Sequence, residues 1–479
     1  MRFRSLLCAL LMVAACRPAG DRPPDLEERL RQQEEQLLAQ RPAALSAQQA
    51  FGADPYKIDY LPGLDRYLVL LRNASQVLLC DPQLKVLDRQ SVPRSPAGWA
   101  RQGEERLYVA GELSSRVAVL ALESERLDSL ESIELGQSVS VRDLVYLWAG
   151  GPTLYLLDGF DRQLLRLDLT RGGQRAYPLG AGPTQILHQD GHLIINLLYE
   201  HAILILPLAA GLPDFQKASR IENDGPFWGL AAHRLGDRLI IAAGGIEDHP
   251  LDRSGGEFGN VDSFLHLFEL RRLERPIAGP FDPLRQSVFH WDAEAERRVS
   301  RVNLSELKVV TPKALAFENR EGGLELWAAG YGSPRLAVFK VGWNEAGESR
   351  AFGGGQSGTE EGTAGDQPES RAGSDPLSGP ASRPSGLEVE LLRLMESVPG
   401  LTDLKLHRRN GRLLLAAANP LLDRVEIRSP SSPGSAPAEL ASLSFSGQRQ
   451  AAQASRLGEA LFFTTLLSPK NSSEGPLSR

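Results

Sequence analysis

Cysteine is scarce in this chain: 479 residues hold only Cys8, Cys16 and Cys80. No Cys-x-x-Cys pair exists, and Cys80 has no partner for an intramolecular disulfide once Cys8 and Cys16 are set aside. Without a disulfide the fold must be stabilised by its core, which 42% apolar residues can supply. Lysine is also rare, at eight, and the 53 basic residues are interspersed with 60 acidic ones for a formal charge of −7. No basic stripe forms, which argues against nucleic acid as a partner. The usual enzymatic signatures are missing. There is no Gly-x-Ser-x-Gly elbow, no His-Glu-x-x-His and no phosphate loop ending in Gly-Lys-Ser/Thr. The stretch Gly353-Gly354-Gly355-Gln356-Ser357-Gly358 fits a dinucleotide fingerprint only in spelling. It lies in low-complexity sequence, with no helix pattern after it to receive a phosphate, and reads as linker.

What is present begins at the N-terminus. Arg2 and Arg4 precede an apolar run from Leu6 to Ala15, too short to span a bilayer as a mature helix, and Val13-Ala14-Ala15-Cys16 follows with small residues before the thiol. This pattern resembles the bacterial lipoprotein signal. The resemblance implies cleavage after residue 15, lipidation of Cys16 and stable anchoring by acyl chains. It places the body in the cell envelope, and Arg17 after the cysteine favours the outer membrane. Residues 16–55 then read as a tether. Leu26, Leu30, Leu37 and Leu38 stand in a field of Glu, Gln and Arg, predicting a helix that ends before Pro42. A partner-binding coiled coil would need more heptads than this run offers.

Beyond Tyr56 a rhythm sets in. A short apolar run, a polar break and a second apolar run recur seven times: Tyr67–Leu71 with Gln76–Cys80, Arg106–Ala110 with Arg116–Leu120, Leu154–Leu157 with Leu164–Leu167, His192–Ile195 with Ala202–Ile205, Arg238–Ile241 with Phe264–Leu267, Leu324–Trp327 with Arg335–Val338, and Leu413–Ala416 with Arg424–Ile427. Each pair is too short to be helical and too apolar to stand alone. Further strand-like segments flank several pairs, such as Leu144–Trp148, Leu230–His233 and Leu127–Leu135. Four strands every 40–50 residues or so, seven times over, predict an all-β fold, a seven-bladed β-propeller over residues 56–445. A β-sandwich could house the same hairpins but leaves the recurrence unexplained. Arg106–Ala121 and Arg412–Ile427 are similar to the strand pairs of exported YVTN-type propellers; the other blades share only the hydrophobic rhythm. Propellers of that kind share no single activity.

Two interruptions stand out. Phe352–Gly386 is rich in Gly, Ser, Pro, Glu and Thr, reads as a disordered insertion, and falls between the sixth and seventh strand pairs, so that the last blade is expected beyond it. The other, Gly244–Asp262, interrupts the fifth blade and is extended by Glu274–Arg301. It concentrates Glu247, Asp248, His249, Asp252 and Arg253, with Glu257, Asp262 and His266 following. Three readings of this segment are open. Asp248, His249 and Asp252 could supply oxygen and nitrogen ligands to a divalent metal; Glu247, Asp248, His249, Asp252 and Arg253 could form a partner-binding loop; or the loop is inert. His188, His192, His201, His233 and His407 lie in or beside strand patterns and read as structural or surface residues.

The last stretch, within residues 446–479, carries Leu457, Gly458, Leu461, Phe462, Leu467 and Ser468. These positions resemble the opening of the di-haem cytochrome c peroxidase and MauG-like family, in which a Cys-x-x-Cys-His haem site follows. No such site occurs in the sequence, so the chain itself is expected to carry no cofactor and no catalytic residue. The sequence thus points to a lipid-anchored propeller that binds or scaffolds a protein. The alternative is the N-terminal part of a peroxidase-like redox system, with haem c on a further part and a c-type cytochrome or peroxidase domain as partner.

Overall fold

A computed structural model describes residues 52–112, 114–148, 151–235, 238–249, 260–270, 300–343, 387–430 and 438–445. The leader with Cys16, the tether helix and the tail from residue 446 lie outside these residues. Seven antiparallel sheets follow one another along the chain, so the fold is the expected all-β seven-bladed propeller. No helix among the described residues is long and apolar enough to cross a membrane.

Each blade runs inner, second, third and outer strand in chain order. The first blade is Pro55–Leu61, Arg66–Leu71, Gln76–Cys80 and Val86–Ser91. In the second blade the outer position is shared by Leu127–Ser129 and Ile133–Val139, and in the fourth by Leu212–Pro213 and Ser219–Glu222. The seven sequence-predicted pairs are the second and third strands of the seven blades. Their unbroken apolarity follows from their surroundings. Tyr67, Val69 and Leu71 of the first blade pack on Leu414, Ala416 and Ala418 of the seventh, while Leu68 and Leu70, pointing the other way, pack on Leu107 and Val109 of the second. Both faces are therefore buried, and seven apolar clusters fill the seven interfaces between neighbouring blades.

The antiparallel order fixes two rims. The chain enters each inner strand at the upper rim, which also carries the turns between second and third strands. Turns between inner and second strands, and between third and outer strands, lie at the lower rim. The low-complexity insertion does not separate the sixth blade from the seventh. Arg335–Trp343 pairs directly with Leu387–Glu396, Trp343 opposite Leu387, so residues 344–386 join the third and outer strands of the sixth blade at the lower rim. The fourth strand of that blade had been hidden beyond the insertion, and the seventh blade follows after a short connection.

Ring closure uses no strand exchanged between the two ends of the described chain: the first and seventh blades are each built from four consecutive strands. Polar contacts reinforce the apolar seam between them. Asp423 accepts the backbone N–H groups of Ala53 and Asp54 at 3.2 and 2.9 Å, and Asp403 accepts that of Ile58 at 3.0 Å. Arg409 forms a two-pronged ion pair with Asp65 at 2.8 and 3.0 Å. Tyr67 Oη lies 2.8 Å from His407 Nε2.

Candidate binding rim

In six blades the register between inner and second strands slips by one residue, leaving Tyr56, Ala97, Arg142, Thr184, Trp228 and Lys313 as bulge residues. A bulge bends the strand and re-aims the side chain it carries. Three of these side chains reach residues of the second-to-third turns. The Arg72 guanidinium lies 4.4 Å from the centre of the Tyr56 ring, Arg142 ion-pairs with Glu112, and Lys313 Nζ is 5.1 Å from the Tyr331 ring centre.

The next residue in each inner strand contacts the following blade. Asp143 accepts the Ile186 N–H at 3.1 Å, and Gln185 accepts the Leu230 N–H at 3.0 Å. Asp403 caps Ile58 in the same way. Where this residue is glycine, the backbones approach closely instead. A Cβ on Gly98 would fall 2.8 Å from the Asp143 Cα, and one on Gly229 would collide with the Lys313 carbonyl. Lys57 does neither; it crosses from the first blade past Gly98 to meet Asp143 of the third at 2.6 Å. Burial works to lower the Lys57 pKa, but the charge and hydrogen bond of Asp143 overcome it and hold the group above the ordinary lysine value. Lys405 is raised chiefly by Asp403, 3.8 Å away, and Arg101 pairs with Asp59 at 2.8 Å. The Lys57–Asp143 and Arg101–Asp59 pairs tie inner strands of different blades together.

The fifth blade absorbs part of its expected insertion into a long hairpin, Arg238–His249 with Asn260–Glu269. Glu247 is therefore a strand residue rather than a loop residue. It sits opposite Asp262, is 5% exposed, and pairs with Arg301 and, at 3.6 Å, with His266 Nε2. His266 is 0% exposed, edge-on to Phe227 and stacked on Phe268, while the Arg301 guanidinium lies 3.7 Å from the Phe264 ring centre. Asp248 and His249 end the strand, paired with Val261 and Asn260; their side chains, and all of Asp252 and Arg253, lie outside the described residues. No cluster of three His, Cys, Asp or Glu suited to a metal occurs among the described residues. The alternation Asp262-x-Phe264-x-His266 signals this strand in the sequence, whereas Arg301 could not be placed because it arrives across residues 271–299. Cys80 is fully buried, and burial pushes its thiol up to about 12, unlike the exposed, low-pKa setting of reactive cysteines.

The upper rim carries a feature that sequence reasoning missed. Phe160 and Tyr199, on the second-to-third turns of the neighbouring third and fourth blades, are 78% and 77% exposed. Both turns are held from beneath. Buried Asp158 accepts the backbone N–H of Ser140 and Phe160 at 3.1 and 3.0 Å and the Gln163 amide at 3.0 Å. Leu198 donates its N–H to the Gly182 carbonyl at 2.8 Å, and the Glu200 carboxylate takes the Ala181 N–H and the Arg220 guanidinium. Large rings on fixed turns lose little freedom on contact, which suits them as anchors for a partner. Phe445 donates its N–H to the Asp423 carbonyl at this same rim, so Asp54 and Phe445, near the two ends of the described chain, both meet Asp423 there.

Neither a protein family nor a curated protein matches the sequence. Among solved structures, hydrazine synthase of Kuenenia stuttgartiensis is similar over 81% of this chain and 99% of that one, with a TM-score of 0.51 and 13% identity. Dihydro-heme d1 dehydrogenase NirN, in complex with DHE, is similar over 83% of this chain and 69% of that one, with a TM-score of 0.45 and 10% identity. Streptogramin B lyase is similar over 77% and 91% respectively, with a TM-score of 0.41 and 10% identity. At such identities the likeness concerns the propeller fold and not an activity.

Proposed function

We propose that this chain is a binding module of the cell envelope, anchored by lipid on Cys16, that receives a protein partner on its upper rim. The observation that carries the reading is the pair Phe160 and Tyr199, two exposed rings on adjacent turns whose backbones are fixed by buried polar contacts. The Val13-Ala14-Ala15-Cys16 box supports the anchor. A photo-crosslinking residue placed at 160 or 199 in cells should give discrete protein adducts, whereas one at Arg126, on an exposed lower-rim turn, should not. The Phe160→Ser/Tyr199→Ser variant should lose adducts formed through a probe at Arg162 while keeping its thermal midpoint. Equal labelling at both rims would overturn the assignment. Cys16→Ala should move the protein out of the membrane fraction.

A second reading makes the partner a c-type cytochrome or peroxidase domain. It rests on Leu457, Gly458, Leu461, Phe462, Leu467 and Ser468, and it is compatible with Phe445 meeting Asp423 at the upper rim. Translating the DNA downstream of Arg479 tests it: a Cys-x-x-Cys-His in that sequence supports the redox reading, and its absence from the locus removes it.

A further inference from the structure

Between the fifth and sixth blades, two donors occupy the same register position. Trp228 and Lys313 are both inner-strand bulge residues, and the strands meet beside them: a Cβ on Gly229, the residue after Trp228, would fall 3.1 Å from the Lys313 Cα. The Trp228 Nε1–H is buried and finds no acceptor among the described residues. Buried donors are almost always satisfied, so an orphan one calls for an explanation. Lys313 is half-buried beside the Tyr331 ring, and among the described residues no carboxylate forms an ion pair with it. The corresponding cation of the third blade, Arg142, has Glu112 as its counter-charge. At matching positions of adjacent inner strands, the fifth and sixth blades thus present, among the described residues, an N–H without an acceptor and an ammonium without an anion.

We infer that this part of the upper rim binds a single anionic acceptor, a carboxylate or a phosphate, through the Trp228 indole N–H and the Lys313 ammonium, with the Tyr331 ring flanking the cation. One anionic group satisfies both deficits together, because a charged acceptor bonds more strongly to each donor than a neutral one. Lys313 reaches Tyr331 of an upper-rim turn, and the Trp228 bulge stands at the same register position of the neighbouring inner strand. The site is separate from Phe160 and Tyr199, so either assignment can fail without the other.

The test is a titration of the full chain with inorganic phosphate and, separately, with succinate, following the indole N–H resonances; Trp228→Phe identifies the signal of Trp228. The expected result is a saturable shift of that resonance with at least one of the two anions. Isothermal titration should then show binding weakened about tenfold or more by Lys313→Met, and clearly weakened by Trp228→Phe, which keeps an aromatic ring but removes the donor. Phosphate without succinate, or the reverse, identifies which anion chemistry the site takes. No saturable shift with either anion, or unchanged affinity in both variants at an unchanged thermal midpoint, overturns the proposal.

Discussion

The Asp423 carboxylate accepts the backbone N–H of Asp54 at 2.9 Å although 369 positions separate the two residues. The contact joins the turn after the second strand of the last blade to the start of the first, and the Ala53 N–H bonds to the same carboxylate at 3.2 Å. Because neither blade borrows a strand from the other, this side-chain latch, the apolar seam beneath it and the contacts of Asp403, His407 and Arg409 hold the ring shut.

Asp423→Ala leaves two backbone donors without their acceptor at a buried position. Each such orphan costs about 1–3 kcal/mol, so the variant should lose about 3 kcal/mol of stability. Urea denaturation measures this. A loss below about half a kcal/mol would show that closure does not depend on the Asp423 latch.

His407 makes the same seam sensitive to acid. Burial, and then the nearby Arg409 charge, lower its pKa from 6.5 to about 4. The folded protein therefore takes up this proton less readily than the unfolded chain. Above pH 6.5 both states are neutral at this position and it contributes no pH dependence; as pH falls from 6.5 towards 4 the unfolded state gains the proton first and stability drops. The loss has an upper bound of about 3 kcal/mol. Asp65, held low by its hydrogen bond from Arg409, destabilises only at pH values below the ordinary carboxylate pKa, outside this window. His407→Gln should flatten the stability profile between pH 6.5 and 4. A profile of unchanged slope would show that other groups govern it.

Two glycines test the close approach of blades. Gly229→Ala would drive a methyl group into the Lys313 carbonyl and should cost about 1–3 kcal/mol. Gly342 has no heavy atom within 4 Å of where its Cβ would stand, so Gly342→Ala should stay within about half a kcal/mol. Paired thermal melts compare them. Equal losses would mean that the fifth and sixth blades can separate without cost.

The uneven legibility of the sequence follows from which faces are buried. Second and third strands such as Arg66–Leu71 and Gln76–Cys80 are covered on both sides, so their apolar runs announce them. Outer strands such as Val86–Ser91 and Gln174–Pro178 are polar and half-exposed, and they merge into the loops. Inner strands are interrupted by bulges and by the residues that contact the next blade, including Asp143, Gln185 and Gly229. Phe160 and Tyr199 could not be distinguished from core aromatics, because exposure depends on the turn and not on residue type. Glu247 read as a loop residue because a charge-rich hairpin tip resembles a loop until its partner strand is known.

The low-complexity segment offers the cleanest separation of sequence length from structure. Residues 344–386 connect Trp343 and Leu387, which sit opposite each other in the sixth-blade sheet, and Gly342 faces Glu388. The two ends already stand at hairpin distance, so a tight Asn-Gly turn can replace everything between them. Closing a loop roughly twenty times shorter spares conformational entropy worth about 3 kcal/mol, provided that the segment makes no contacts with the body. Its composition, nearly devoid of large apolar residues from Phe352 to Gly386, gives it little with which to make them. The shortened protein should therefore melt no lower than the full chain, and its upper-rim contacts should be unaffected, because the deletion lies at the opposite rim. A fall in stability of more than about 2 kcal/mol, well beyond the roughly half a kcal/mol typical of changes away from packed features, would show that the segment packs against the propeller.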